Sequence, residues 1–376
     1  MNDRSKTLVT ADLCEMTGRR YAGLAGRASA AIWAGLRARE IKGRWILIPA
    51  NMCYVVAWTI LQSGNLPYLV DVDPSTGNIS PDTLSHVQVE SPAALVICHM
   101  YGLGAPIAQL AEWANRREIF VIEDATLALG ATVDDRPAGS WGDLSLFSFG
   151  EGKILDVGNG GAFLCDDPEL VNQVQVELEQ LPPWSKPLER LRDQWTELYW
   201  LLHQYEKPNP PLTTIYPQLF QLYGNLTRYQ FDFSRAESLA TGLANLRANL
   251  AHRTEIASFY DERLANLPIH TLLRPPGHVL WRYPLLVPVQ HRDGLLELLW
   301  ENGILASRWY PSLEPMLSAL APNIEKKELP GAEQLATEII NLPVDQTVDM
   351  ELSETITEII KDYFQEKRKF RTRFLN

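Results

Sequence analysis

An acidic and a basic residue each follow a predicted apolar strand near the middle of the sequence. Asp124 ends the run Phe-Val-Ile-Glu-Asp, and Lys153 comes four residues after the apolar run that closes with Phe149. A glycine-rich turn at 158–161 then leads into another apolar run. In a mostly parallel sheet, ligands bind beyond the carboxyl ends of the strands. The sequence therefore predicts that this carboxylate and this amine belong to one binding site.

An amine and a carboxylate placed in this way suit the chemistry of pyridoxal 5'-phosphate. The amine of Lys153 could form a Schiff base with the aldehyde of the cofactor. The carboxylate of Asp124 could pair with the protonated pyridine nitrogen, which lets the ring accept electrons as a carbanion develops. Each residue alone has a commoner role, because a lysine after a strand is usually solvated and an aspartate there usually caps a helix. Their arrangement and the residues around them favour the cofactor hypothesis.

Short apolar runs alternate with amphipathic stretches through the first two-fifths of the chain. This alternation predicts an α/β fold, in which a parallel or mixed sheet is covered by helices on both faces. The apolar runs are continuous rather than alternating, as expected for strands that are buried on both sides. The predicted strands are 45–49, 67–72, 94–99, 120–123, 144–149 and 161–165, and the predicted helices are 29–39, 55–62 and 107–116.

A segment rich in proline and aromatic residues, 181–233, interrupts this pattern; we refer to it as the aromatic segment. Prolines break long helices, whereas aromatic side chains need burial. The simplest interpretation is a crossover connection packed by its aromatic side chains. A pocket rim, a membrane-touching surface and a subunit interface remain alternatives, of which an interface is favoured.

The last third of the chain mixes helices with a strand, which indicates a small α+β domain. The predicted helices are 238–264, 292–302, 332–340 and 352–364, and the predicted strand is 279–287. We therefore predict a large domain at 1–245, which includes the aromatic segment, and a smaller C-terminal domain at 246–376.

Composition excludes several classes of protein. Lys and Arg number 34 against 46 Asp and Glu, which gives the 376-residue chain a net charge of −12. Such an acidic chain is a poor candidate for binding nucleic acid or an anionic membrane. No apolar run reaches the roughly 18 residues of a membrane span. The four cysteines lack metal-binding spacing, so we expect reduced thiols, a cytoplasmic protein and no metal site.

The motifs taken together resemble the DegT/StrS family of fold-type I pyridoxal phosphate enzymes, the sugar aminotransferases. The resemblance runs from about residue 26 to residue 364, apart from the aromatic segment. Single motifs are weak, but their shared order and spacing indicate the family. They are Gly-Arg-Ala-Ser at 26–29, Ile-Pro-Ala at 48–50, Val-Asp-Val-Asp-Pro at 70–74, His-Met-Tyr-Gly at 99–102, Ile-Glu-Asp at 122–124, Gly-Ala at 130–131, Gly-Ser-Trp-Gly-Asp at 139–143, Phe-Ser-Phe at 147–149 with Lys153, Gly-Asn-Gly-Gly at 158–161, Gly-Ile at 303–304, Tyr-Pro at 310–311 and Asn-Leu-Pro at 341–343.

The resemblance implies roles for five residues. Lys153 would be the Schiff-base lysine that moves a proton between substrate and cofactor, and Asp124 would hold the pyridine nitrogen. Ser148 would donate its hydroxyl to the cofactor phosphate. Ala28 and Ser29 would offer backbone N–H groups to the same phosphate at a helix N-terminus, where the helix dipole favours an anion. The resemblance also implies a seven-stranded, mostly parallel sheet and a homodimer with its active sites at the subunit interface.

Two positions that face the cofactor ring in the family carry other residue types here. The glutamine or histidine expected three residues after the aspartate is Leu127. The ring-stacking aromatic residue expected after Pro49 falls on Cys53, with Tyr54 beside it. We keep Leu127, Cys53 and Tyr54 as candidate cofactor contacts because their positions match those of the family.

Three further positions depart from the family pattern. Asn159 stands where the glycine-rich turn often has an acidic residue. Phe231 aligns near the asparagine that usually reaches the phosphate of the neighbouring subunit, and Trp309 replaces a histidine before Tyr-Pro. These changes are compatible with pyridoxal phosphate chemistry on an unusual substrate, and equally with weakened cofactor binding or a changed reaction.

The reaction implied by the resemblance is transamination from an amino-acid donor such as glutamate to a keto-sugar, expected to be linked to a nucleotide. One alternative is another pyridoxal phosphate reaction, such as a dehydration. In the dehydratase branch of the family a histidine replaces the lysine, so Lys153 argues against that branch. The second alternative is a non-catalytic descendant that acts as a binding or regulatory subunit, motivated by Leu127, Cys53 and Phe231.

Overall fold

Seven strands form one sheet in this structure, a computed structural model that describes residues 2–205 and 216–373. The sheet strands are β1 (Tyr21–Ala25), β2 (Trp45–Pro49), β3 (Leu66–Val70), β4 (Ala94–Cys98), β5 (Phe120–Asp124), β8 (Leu144–Ser148) and β9 (Gly161–Cys165), and β6 (Thr132–Val133) and β7 (Arg136–Pro137) form a separate hairpin. The order across the sheet is β1-β9-β8-β5-β4-β2-β3. Only β9 runs against its two neighbours, which confirms the predicted seven-stranded, mostly parallel sheet.

Helices cover both faces of this sheet, and β4, β5 and β9 are buried along their whole length. Burial on both faces explains why their sequences are continuous apolar runs. The helices of this half are α1 (Asn2–Thr17), α2 (Ala28–Ala38), α3 (Tyr54–Gln62), α4 (Pro81–Ser85), α5 (Ile107–Asn115) and α6 (Pro168–Glu179). The elements predicted here are confirmed to within about two residues.

Neither α1 nor β1 is predicted from the sequence, because both lack a clear apolar pattern. The strand β1 reads Tyr-Ala-Gly-Leu-Ala, and small residues favour strands only weakly. Packing requires this composition, since a Cβ atom on Gly23 would lie 2.3 Å from the ring of Phe163. The tertiary contact therefore decides this strand where local preference does not.

The aromatic segment folds mainly as two helices, α7 (Lys186–Tyr205) and α8 (Tyr216–Tyr223). Its Pro208, Pro210 and Pro211 lie outside the described residues. The ring of Trp58, on α3, lies 5.6 Å from the ring of Trp195 and 5.4 Å from that of Phe220. In its described part, the segment is thus a connection packed by aromatic side chains against the large sheet domain.

The C-terminal part contains a three-stranded antiparallel sheet, in the order β10 (His270–Thr271), β11 (Tyr283–Leu286), β12 (Ile339–Leu342). Its helices are α9 (Ala236–Ala244), α10 (Leu246–Leu264), α11 (Val289–Glu301), α12 (Glu314–Leu320), α13 (Pro330–Glu338) and α14 (Met350–Arg373). The predicted strand at 279–287 is shorter in the structure, and β12 is not predicted as a strand.

Two helix predictions in this part are wrong. The helix predicted at 238–264 is broken at Asn245, whose side chain donates to the Thr241 carbonyl and competes with the helical backbone bonds. The helix predicted at 332–340 ends at Glu338, because Ile339 and Ile340 pair with β11 instead. β-branched residues are well suited to this change from helix to strand.

The predicted domain boundary at residue 245 coincides with the break between α9 and α10. The division into domains at this point stays a prediction. Among residues 2–205 and 216–373, no helix combines the length and the apolar character that a bilayer crossing demands.

Candidate active site

The carboxyl edge of the large sheet carries the predicted site. Asp124 is the last residue of β5, and in the strand register it lies opposite Cys98, the last residue of β4. Ser148 ends β8, and Cys53 caps α3 just after β2. Because these four strands run parallel, their ends meet at one edge of the sheet. The side chains predicted to act together are therefore brought to the same edge.

The amine of Lys153 reaches into this edge. Its Nζ donates to Thr126 Oγ1 at 3.3 Å, two residues beyond Asp124. Asp124 and Cys53 both lie close enough to act on the charge of the amine. The structure thus unites the lysine and the carboxylate, as the sequence predicts.

The surroundings of Lys153 make its amine easier to deprotonate. Burial lowers the pKa of Lys153, and the guanidinium of Arg27 adds repulsion in the same direction. Cys53 and Asp124 oppose this change without cancelling it. A neutral amine is therefore more accessible here than on an exposed lysine, as nucleophilic or basic chemistry requires.

The carboxylate of Asp124 is buried, with only 4% of the residue exposed. One of its oxygens, Oδ1, accepts the Thr126 N–H at 3.0 Å, and its backbone carbonyl accepts the His99 N–H at 3.2 Å. These bonds fix the side chain at the strand end. The other carboxylate oxygen, Oδ2, makes no hydrogen bond to the described residues and is available to a ligand.

A fully buried acid that the sequence analysis did not single out, Glu123, organises the strand end beside Asp124. Its carboxylate accepts the N–H groups of Gly139 at 2.7 Å and Trp141 at 2.8 Å, the Ser145 hydroxyl at 2.8 Å, and a hydrogen bond with His99 at 3.1 Å. Burial alone would raise the pKa of Glu123, but His99 and the backbone donors outweigh it and lower the pKa to about 2. The ionised side chain therefore ties the 139–145 loop to the site.

Hydrogen bonds to a carboxylate and to a tryptophan stabilise the loop that carries Lys153. Asp156 accepts the N–H groups of Gly152 and Gly158, both at 2.7 Å. The indole N–H of Trp281 donates to the Gly152 carbonyl at 2.6 Å. The lysine backbone is thereby held between the sheet edge and the C-terminal part of the chain.

The residues predicted to bind phosphate lie together. Ser148 pairs with Gly161 across β8 and β9, and a Cβ atom on Gly161 would lie 2.4 Å from the Ala28 nitrogen. Only glycine permits this approach of the strand to α2. The N–H groups of Ala28 and Ser29 belong to the first helical turn, which has no intrahelical acceptor for them. The hydroxyl of Ser29 donates to the Thr227 carbonyl at 3.1 Å, so only its N–H is offered to a ligand.

The three candidate contacts of the cofactor ring have different surroundings. Cys53 lies near Lys153 and Asp124, and burial raises the pKa of its thiol. The Tyr54 ring packs at 4.8 Å against Trp58, within the aromatic cluster formed with the aromatic segment. Leu127 is buried, with 2% of the residue exposed. Their roles as cofactor contacts stay predictions.

Two aromatic residues distant in sequence complete the site. The Trp281 and Tyr310 rings are stacked at 5.7 Å with an angle of 25° between them. Burial raises the pKa of Tyr310 well above its ordinary value, and the nearby Cys53 and Cys98 act in the same direction. Tyr310 was noted in the sequence only as part of a Tyr-Pro motif, and its contact with the strand ends required the fold.

The residues present fit pyridoxal phosphate. A partly buried amine, a buried carboxylate, a strand-end hydroxyl and two free helical N–H groups occupy one edge. The turn beside them contains Asn159, which is 3% exposed and whose amide nitrogen and oxygen have no hydrogen-bond partner among the described residues. Buried amides are normally paired, so this one is consistent with an edge built around a polar ligand.

The chain matches a family model and known proteins over most of its length. Residues 5–361 match the model of the DegT/DnrJ/EryC1/StrS aminotransferase family. The "Pleiotropic regulatory protein" of Geobacillus stearothermophilus is 25% identical over 367 residues, which cover 94% of this chain and 88% of the relative. The dTDP-4-dehydro-2,3,6-trideoxy-D-glucose 4-aminotransferase of Saccharopolyspora spinosa is 27% identical over 314 residues, which cover 81% of this chain and 74% of the relative.

A solved structure shares the fold. NtdA of Bacillus subtilis, solved with bound cofactor PMP, superposes with a TM-score of 0.76 at 20% identity and covers 97% of this chain and 77% of its own. Aminotransferases of the matched family depend on pyridoxal phosphate, which confirms the predicted cofactor. Because the family model spans nearly the whole chain, the protein belongs to the DegT/DnrJ/EryC1/StrS aminotransferase family.

Proposed function

We propose that the protein transfers an amino group from an amino-acid donor such as glutamate to a keto-sugar linked to a nucleotide. The observation that carries this proposal is the Lys153 amine beside the buried Asp124 carboxylate at the carboxyl edge of the sheet. Family membership supports the reaction class, and the dTDP-sugar named for the Saccharopolyspora relative supports a nucleotide-linked acceptor.

Asp124 would hold the ring nitrogen of the cofactor. When bound, pyridoxal phosphate supplies an electron sink for the negative charge that develops at the substrate carbon. The free oxygen of the Asp124 carboxylate would keep the ring nitrogen protonated, and the Thr126 N–H would keep that carboxylate in place. Its burial strengthens the pairing because water does not screen it.

Lys153 would carry the proton in both half-reactions. Its lowered pKa favours the neutral amine, which can take a proton from the substrate carbon and return it. The Thr126 hydroxyl, 3.3 Å from Nζ, would steady the amine when it is free of the cofactor. Ser148 and the N–H groups of Ala28 and Ser29 would bind the phosphate and fix the position of the ring.

The assembly and the compartment belong to the same proposal. We infer a homodimer, supported by the family resemblance, which places active sites at a subunit interface. We also infer a reducing, cytoplasmic location, supported by four cysteines that are all free thiols in the structure. The mass of the purified protein in solution would test the first inference directly.

A second candidate is a non-catalytic binding or regulatory subunit. Phe231 aligns near the family's phosphate-contacting asparagine, but its buried ring lies 5.3 Å from the ring of Phe233 in its own chain and offers no hydrogen bond. The Geobacillus relative is named as a regulatory protein. The retained Lys153, Asp124 and Ser148 weigh against this candidate.

The test is a pair of half-reactions on purified protein supplied with pyridoxal phosphate. Glutamate should yield 2-oxoglutarate in a single turnover, and a panel of nucleotide-linked 3-keto and 4-keto sugars should then yield an amino sugar, detected by mass spectrometry. Lys153→Ala should abolish both, whereas Lys42→Ala, which removes an exposed lysine, should leave both unchanged.

Each failure has its own meaning. Turnover by Lys153→Ala would overturn the proposed role of this lysine. Cofactor binding without any half-reaction across a panel of donors would contradict transamination, and no cofactor binding at all would favour the non-catalytic candidate.

A further inference from the structure

We propose that Arg27 binds the phosphate of the cofactor from within the same chain, in place of the amide that the family takes from the partner subunit. This inference rests on the proposed function, since it requires pyridoxal phosphate in the site. It adds a phosphate ligand that the family resemblance does not assign, because the resemblance gives phosphate-binding roles at this motif only to Ala28 and Ser29.

Arg27 stands at the entrance of the predicted phosphate site. It is the N-cap of α2, and its side chain makes no capping hydrogen bond. The preceding Gly26 carbonyl accepts the N–H of Gly160 at 2.9 Å. The residue is thus enclosed between the glycine-rich turn and the first turn of α2, next to Ala28.

Arg27 adjoins the glycine-rich turn, since a Cβ atom on Gly161 would lie 2.6 Å from the Arg27 carbonyl carbon. Its guanidinium is also near enough to Lys153 and Cys53 to act on the charge of each side chain. No carboxylate of residues 2–205 or 216–373 forms an ion pair with it within 4 Å. Lys153 and Arg27 bring two basic groups to this edge beside the carboxylate of Asp124, and a bound anion would supply further compensating charge.

The aromatic segment packs against the loop that carries Arg27. The Tyr229 side chain lies near the guanidinium of Arg27, and the Tyr229 ring is buried 4.7 Å from the ring of Trp184. A Cβ atom on Gly26 would lie 2.2 Å from the Tyr229 carbonyl, so the segment and the phosphate loop are in direct contact. Tyr229 therefore packs beside the guanidinium and limits the space open to it.

The stretch that aligns near the family's phosphate-contacting asparagine carries Phe231 here. Phe231 is 6% exposed, and it lies so close to the glycine-rich turn that a Cβ atom on Gly160 would be 3.0 Å from its ring. An apolar ring buried in its own chain cannot donate a hydrogen bond to the phosphate of a partner. The phosphate must take its remaining contacts from other groups.

Charge identifies Arg27 as the replacement. A phosphate monoester carries about −1.5 to −2 charges at neutral pH, whereas Ser148 and the helical N–H groups are neutral. Two other arginines approach the turn near Gly158, but Arg192 pairs with Asp193 at 2.6 Å and Arg235 pairs with Asp232 at 3.5 Å. Of these three arginines near the turn, Arg27 is the one with no carboxylate of the described residues within 4 Å, and its planar fork matches a phosphate.

The test compares binding of pyridoxal phosphate with binding of pyridoxal, which lacks the phosphate. Affinities are measured by equilibrium dialysis and by tryptophan fluorescence, so no turnover is needed. Arg27→Met should weaken binding of pyridoxal phosphate by about 10- to 150-fold, the loss expected for a charged hydrogen-bonded contact. Binding of pyridoxal should change by less than about twofold, because it carries no anion.

Two further variants separate the charge from the fold. Arg27→Lys keeps the positive charge but loses the planar guanidinium. Its ratio of affinities for pyridoxal phosphate and pyridoxal should therefore lie between the ratios of wild type and Arg27→Met. This variant also replaces Arg27→Met in the test if Arg27→Met does not fold. Arg37→Met removes an equivalent charge from the last turn of the same helix and should bind both ligands as wild type does.

Equal weakening of both ligands by Arg27→Met, or no weakening of either, would overturn the inference. A wild-type protein that binds neither ligand would refute the proposed function itself. A wild-type protein that binds both ligands equally would refute only the phosphate contact.

Discussion

The sheet edge and the aromatic segment meet at one site but hold different kinds of residue. At the sheet edge, Asp124, Ser148 and Lys153 keep the charged and polar types that cofactor chemistry requires. In the segment, Phe231 presents its aromatic ring to the glycine-rich turn, and Tyr229 presents its ring to Gly26. Relative to the family pattern, the chain therefore keeps the reacting groups but carries different residue types around the predicted phosphate site.

The two regions are also stabilised differently. Glu123 ties the sheet edge together through hydrogen bonds to backbone and side-chain donors in a fully buried network. The segment is attached through ring contacts, among them those of Trp58 with Trp195 and Phe220. A substitution in either network should therefore leave the other largely intact, which makes the contrast testable.

The largest effect is expected for Trp58→Ala. Trp58 is 1% exposed, and removing so large a buried ring should cost about 3–5 kcal/mol of unfolding free energy. Urea denaturation measures the loss, and hydrogen exchange should show faster opening of α7 and α8. Trp113→Ala, which truncates a half-buried tryptophan on α5, is the control, and an equal cost for both variants would contradict the proposed attachment of the segment.

Next in size is Glu123→Gln, whose effect should depend on pH. A pKa lowered from 4.5 to about 2 corresponds to about 3 kcal/mol of stability. Since the folded-state pKa is the lower one, this stability is present above pH 4.5 and is lost as the pH falls towards 2. The gap in unfolding free energy between wild type and variant should therefore narrow with acidification.

Acid titration of the unfolding free energy checks this prediction. Glu112→Gln, at an exposed site on α5, is the matched control and should show no such pH dependence. A gap between wild type and Glu123→Gln that stays constant from pH 7 to pH 3 would argue against an ionised Glu123.

A smaller effect is expected at the proposed cofactor contact. Asp124→Asn removes the charge that pairs with the ring nitrogen, so kcat/KM should fall about 10- to 150-fold, the range for a hydrogen bond to a charged group. The steady-state rate with saturating cofactor measures it. Asp135→Asn, in an exposed turn, should keep the wild-type rate, and an unchanged rate for Asp124→Asn would exclude the proposed pairing.

The smallest effect is expected for Thr126→Val. This change removes the hydroxyl 3.3 Å from Lys153 Nζ, so kcat/KM should fall only about 2- to 13-fold, as for a neutral hydrogen bond. Thr126→Ser restores a hydroxyl and should recover most of the rate. A failure of serine to recover it would point to packing of the threonine methyl group instead.

The sheet and its reactive ends could be predicted because each strand is a continuous apolar run with its polar residue at the end. Asp124 ends such a run and Lys153 follows another by four residues, so the local pattern was sufficient to find both. Glu123 was missed because an acidic residue beside another acidic residue gives no sign in the sequence of the four hydrogen bonds that its carboxylate makes in the fold. Arg27 and Tyr229 lie about 200 residues apart, and only the path of the aromatic segment brings them together.

The local sequence pattern did not predict secondary structure correctly where tertiary pairing or packing determines it. Ile339 and Ile340 continue a helical pattern, yet pairing with β11 makes them a strand. The small residues of β1 look unlike a strand, yet the Phe163 ring requires Gly23 there. Asn245 sits within a run of helix formers and interrupts it through a single side-chain bond.

The most direct test of the central claim is a visible absorbance spectrum of the purified protein with added pyridoxal phosphate. Wild type and Lys42→Ala should develop the yellow band of a cofactor joined to a lysine, and Lys153→Ala should stay folded by circular dichroism but lack that band. A wild-type protein without the band, or a band that persists in Lys153→Ala, would contradict the assignment of Lys153 as the cofactor lysine.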